Sequence, residues 1–178
     1  PEATKTVERS KVMNFTQSIH QEERVIVTQE QQVFIADIRD YLDKDFVLGR
    51  GDIVYEQLKK GYPSIKIKLI NHPREGLSLV ESGKAFAYIG SITDTGNNIN
   101  RFSIKNLKIA GTLSDKYIDS WAFATRKSDH ILSSIFSKII DNADKSKIRK
   151  IISGQFLVKY EQGFDYTLFW QMLFIALA

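Results

Sequence analysis

Few residues in this chain combine a reactive type with a telling position. Arg9 stands in "TKTVERSKVMNFT" (4–16), between a hydroxyl-rich run and the apolar "VMNF". A guanidinium there can offer two parallel hydrogen bonds to a carboxylate. It can equally be a surface charge paired with Glu8 or Glu22. The second feature is "FVLGRGDIVYEQLKK" (46–60), which reads as a strand, a Gly turn and a helix N-terminus. Free N–H groups at such an end can hold an anion, and Gly51 allows close approach of the backbone. Asp52 is the natural cap of that helix. "GRG" at 49–51 is too short for a dinucleotide fingerprint. There is no GxSxG and no Walker sequence, and no spacing links Ser, His and Asp. The three histidines, His20, His72 and His130, lie far apart, and there is no Cys, so neither a metal site nor a cofactor is expected.

The elements that must position these residues alternate in type. "RVIVT" (24–28), "FVL" (46–48), "IKIKLI" (65–70), "FAYI" (86–89), "LKIA" (107–110) and "WAFAT" (121–125) read as strands. Asp52 caps a helix that stops at Gly61, and Pro73 opens one that ends at Gly83. Ser128 or Asp129 caps "HILSSIFSKIIDN", whose apolar residues, from Ile131 to Ile140, recur on one face. A further helix is expected around "DKSKIRKIISG" (144–154). "QEQQ" and "TDTGNNINR" read as polar loops. The alternation predicts an α/β fold with a largely parallel sheet.

Composition narrows the function. The 178 residues are 43% hydrophobic and 26% charged, enough for one or two small soluble domains. The net charge is +4, but bases and acids interleave, so nucleic acid is not an expected partner. The chain opens on Pro1, without a signal peptide, as though inside a longer protein. At the other end "YTLFWQMLFIALA" (166–178) carries no charge. It is shorter than the roughly 20 residues of a membrane span. It reads as a buried element or as the start of a transmembrane helix with Tyr166, Phe169 and Trp170 at the interface.

The order of these segments resembles the bacterial periplasmic solute-binding proteins of the polar amino-acid type, in the form fused to membrane sensors. "TKTVERSKVMNFT" is similar to the family's T-x-E-R-x-x-x-x-x-F-T. "EGLSLVESGKAFAYIGSI" is similar to its E-G-L-x-x-V-x-S-G-x-x-D-A-Y-I, and "NLKIAGTLSDKYIDSWAFATRKSD" to the strand pair leading back to the first lobe. "VKYEQGFDYTLFWQML" resembles the exit into a transmembrane helix seen in sensor histidine kinases and diguanylate cyclases. The resemblance implies a two-lobed type II periplasmic-binding-protein fold with an incomplete first lobe. Lobe 1 would comprise 1–22 and 128–163, lobe 2 would run over 23–127, and 164–178 would begin the membrane helix. The incomplete lobe would expose the apolar face of the helix over 129–141.

The resemblance also implies a site and a role. Arg9 falls where the family's Arg meets a ligand carboxylate, with Thr4 and Thr6 supplying donors beside it and Gly51, Asp52 and Ile53 forming the facing turn. Ser91 falls where the family places the acid for a ligand amine, Phe86 replaces another acid, and "QSIH" (17–20) replaces a Pro-Tyr pair. A simple carboxylate, another polar solute or a partner protein thus stand beside an amino acid as ligands. The implied function is an inner-membrane-anchored periplasmic sensing domain, without enzymatic activity of its own, and a homodimer is in keeping with it. The alternatives are the binding component of an amino-acid importer and a periplasmic enzyme on the same fold, for which Asp52 is the one cleft acid at hand.

Overall fold

The computed structural model describes residues 2–114, 117–144 and 146–148. In chain order the elements are β1 (Glu2–Thr4), α1 (Val7–Val12), β2 (Met13–Phe15), β3 (His20–Glu22), β4 (Arg24–Gln29), β5 (Asp45–Gly49), α2 (Ile53–Gly61), β6 (Lys66–Ile70), α3 (Pro73–Glu81), β7 (Ala87–Ser91), α4 (Ile92–Phe102), β8 (Leu107–Thr112), β9 (Asp119–Arg126) and α5 (His130–Asp141). A 3₁₀ turn at Ile38–Tyr41 lies between β4 and β5.

Two sheets result. The larger has the order β6-β5-β7-β4-β8. Its central strands are apolar without alternation because both faces are covered. Ile26, Phe46, Leu48 and Ile89 point to one face and pack with Val54 and Leu58 of α2. Val25, Val27, Val47 and Ile109 point to the other and pack with Leu77 and Val80 of α3. In the smaller sheet β9 is antiparallel to β1, β2 and β3, with Phe123 opposite Glu2, Ala124 opposite Phe15 and Trp121 opposite His20. The chain passes from one sheet to the other at Glu23, between β3 and β4. The segment 119–126, expected in the second lobe, is the strand around which the small sheet is built.

Two expectations change. The large sheet is mixed: β5 is parallel to β6 and β7, but β4 is antiparallel to both β7 and β8. Alternation of strand and helix fixed the shared direction of β5, β6 and β7, which helices connect, but β4 enters from the small sheet and is free to run the other way. "TDTGNNINR" is not a loop but most of α4. Its Asn, Gly and Asp residues are poor helix formers. What holds it is the buried Thr95 and Gly96, the packing of Ile92 and Ile99 on the core, and a cap from Ser91, whose Oγ accepts from Asp94 N–H at 3.2 Å.

α5 lies where expected, with Asp129 at its cap position but no side-chain cap bond. Ile140 is buried and Phe136 stacks on Phe123 at 5.2 Å, yet Ile131 is 80% exposed, and Ile135 and Ile139 are exposed as well. Asp144 starts the next helical turn by accepting from Ser146 and Lys147 N–H. The rest of that expected helix, and the run 164–178, lie outside the described residues. No described helix is long and apolar enough to cross a membrane.

Candidate ligand-binding site

A cavity of about 510 Å³ separates the two sheets. Thr4, Arg9 and Trp121 line it from the small sheet and its flanking α1. From the large sheet come the turn 49–53, Tyr88 at the cavity floor, and Ser91 and Asp94 at the start of α4.

Each wall follows from local chemistry. Arg50 N–H donates to Ile70 O at 2.8 Å, and Gly51 takes φ +81°, a left-handed conformation that suits Gly. Asp52 then caps α2, its Oδ1 accepting from Val54 N–H at 3.0 Å. On the opposite wall Thr6 caps α1 by accepting from Arg9 N–H at 3.1 Å. Arg9 itself is exposed, and its Nη1 donates to Thr4 O at 3.1 Å. Neither Glu8 nor Glu22 is its partner: Glu8 pairs with Lys11 at 2.7 Å, and Glu22 turns to Trp121 and Thr93.

Of the expected site residues, Arg9, Thr4, Gly51, Asp52, Ile53 and Ser91 line this one cavity. Thr6 does not, because its hydroxyl is committed to the cap of α1.

Four lining residues that carry a charge or a hydroxyl were not among the expected site residues. Arg24, at the start of β4, forms a two-point ion pair with Asp52: Nη1 to Oδ2 at 2.7 Å and Nη2 to Oδ1 at 3.1 Å. Both side chains are largely buried, at 9% and 15% exposure, so the carboxylate expected to face a ligand is already neutralised. Asp94 is the second acid of the cleft. Burial pushes its carboxyl above the ordinary range, and the nearby charge of Glu22 pushes it further, against an opposing pull from Arg24 and a hydrogen bond with Ser91. Ser91-x-x-Asp94 is a capping-box spacing, and that signal would have marked both α4 and this acid. Arg50 lines the cavity with Nε tied to Asn71 Oδ1 at 3.2 Å. Tyr88 is buried, and its hydroxyl is held protonated chiefly by that burial. Among the described residues no cluster of His, Asp and Glu could hold a metal ion.

Two sheets facing one another across a cavity, with the chain crossing between them, is a shared arrangement. The periplasmic VFT2 domain of BvgS from Bordetella pertussis superimposes with a TM-score of 0.76 at 23% identity, covering 86% of this chain and 65% of that one. The chain carries the periplasmic solute-binding fold. An amino acid ABC transporter substrate-binding protein, AbpA from Streptococcus pneumoniae bound to L-arginine, gives a TM-score of 0.73 at 20% identity over 86% of this chain and 65% of that one. In sequence, the chain is 27% identical over 146 residues to the virulence sensor protein BvgS of Bordetella pertussis, which is 82% of this chain and 12% of that protein. No family model matches the chain.

Proposed function

We propose that this chain is an extracytoplasmic ligand-sensing domain of a bacterial membrane signalling protein, closing on a small polar or carboxylate-bearing solute. The observation that carries the reading is the cavity between the sheets, with Arg9 on one wall and the turn 49–53 and the start of α4 on the other. A guanidinium without a carboxylate partner among the described residues suits an oxyanion. A ligand touching both walls favours the closed form over the open one, which is what a sensor must convert into a signal. Similarity to a virulence sensor protein and to a domain described as periplasmic supports the sensing role and that location. Anchoring through 164–178, pairing as a homodimer, and an output by kinase or diguanylate cyclase belong to the same proposal. The two-sided site itself asks for no catalysis.

A second reading, the binding component of an importer, is favoured by the likeness to AbpA. Thermal shift of the full-length protein against a panel of carboxylates, amino acids and polar solutes tests ligand binding. Arg9→Ala should abolish the stabilisation and leave the apo melt unchanged; a falling apo melt would make Arg9 structural. If the same substitution silences an output response, the sensor reading holds; if it abolishes uptake, the importer reading does.

A further inference from the structure

The charges lining the cavity are unequal and unequally occupied. Three guanidiniums, Arg9, Arg24 and Arg50, face two carboxylates, Asp52 and Asp94. Arg24 and Asp52 pair with one another through two hydrogen bonds. Arg9 and Arg50 have no carboxylate partner among the described residues. Each is instead tied by a neutral acceptor: Arg9 Nη1 by Thr4 O, and Arg50 Nε by the side chain of Asn71. Such a tether orients a guanidinium without cancelling its charge, and it leaves both Nη groups of Arg50 open to a second acceptor. The two stand on opposite walls, Arg9 beside the small sheet and Arg50 in the turn after β5 of the large one.

We propose that the solute of this cleft carries two anionic groups, of the dicarboxylate class, one gripped by Arg9 and the other by Arg50. The inference rests on the cleft being a solute site. A zwitterionic amino acid needs an acid for its ammonium, and Asp52 is taken by Arg24. Asp94 remains, and it resists ionisation because of its burial and the charge of Glu22. Bridging both Arg residues also links the walls, so the second anionic group is what favours closure.

Calorimetry on the full-length protein with malonate, succinate, glutarate, butyrate and L-alanine tests this. At least one dicarboxylate should bind about tenfold or more tighter than butyrate, the margin of an added charge-assisted pair. Arg50→Gln should reduce that dicarboxylate to the butyrate level, while Arg50→Lys retains part of the gain. Arg50 is exposed, so the apo melt should stay the same. Equal affinity for butyrate or L-alanine, or full dicarboxylate affinity in Arg50→Gln, would overturn the inference while Arg9-dependent binding kept the cleft reading. Silence from every dicarboxylate would overturn it too, and the broader solute panel would then decide whether the cleft binds anything.

Discussion

Arg24 and Asp52, 28 residues apart, close a two-point ion pair at 2.7 and 3.1 Å on the wall of the cleft. The pair joins the first residue of β4 to the cap of α2, so it serves the fold as well as the charge of the site.

Breaking it from one side leaves a partly buried charge alone. Arg24→Met should destabilise the protein by about 3–5 kcal/mol. The double variant Arg24→Met with Asp52→Asn should cost clearly less than the sum of the two single changes, because Asn still caps α2 and no lone charge remains. Urea denaturation of the four proteins in the cycle measures the coupling.

Glu22 is the second strut. Its buried carboxylate accepts from Trp121 Nε1–H at 3.0 Å and from Thr93 N–H at 3.1 Å, tying β9 of the small sheet to the first turn of α4. Gln can accept through only one terminal atom, so one donor loses its partner. Glu22→Gln should cost about 1–3 kcal/mol. Adding Trp121→Phe removes one of the two donors, so the penalty of Glu22→Gln should shrink in that background. An equal penalty in both backgrounds would show that the Trp121 bond contributes nothing.

Asp94 makes stability depend on pH. Its folded pKa is raised, first by burial and then by the charge of Glu22, so the unfolded chain ionises it more readily. The folded state therefore loses stability as pH rises from the unfolded value, about 3.9, through the folded one. Asp94→Asn should melt higher than the parent at pH 7. The gap should narrow as pH falls toward 4, which melting curves across that window would record.

Tyr88 is held in place by two glycines. A Cβ on Gly90 would meet Tyr88 Cε1 at 2.6 Å, and one on Gly76 would meet Tyr88 Cδ2 at 2.7 Å. The ring is confined on both sides, so Gly90→Ala should destabilise by about 1–3 kcal/mol through overpacking. Gly49→Ala is the control. Nothing lies within 4 Å of its Cβ, and its melt should barely move.

Much of this molecule is legible in its amino-acid sequence. The β5–turn–α2 unit was readable from "FVLGRGD" because capping and turn chemistry are local, and the structure has Asp52 on Val54 N–H and Gly51 at positive φ. The runs at 24–28 and 46–48 read as strands, and the structure buries Val25, Ile26, Val27, Phe46, Val47 and Leu48 completely. α4 was missed because its helix rests on packing of Ile92 and Ile99 that weak local propensity conceals.

The chemistry of the cleft was less legible for the same reason. Sequence alone placed Asp52 at the start of a helix, and the family resemblance singled out Arg9 and Ser91. Only the tertiary structure decided what those residues face. The antiparallel insertion of β4 between β7 and β8 sets where Arg24 stands, and there it meets Asp52. Arg50 and Asp94 come to the same cavity from elements more than 40 residues apart. Charge pairing acts over a few ångströms of space, and strand order, which no local period encodes, decides which residues come within that range.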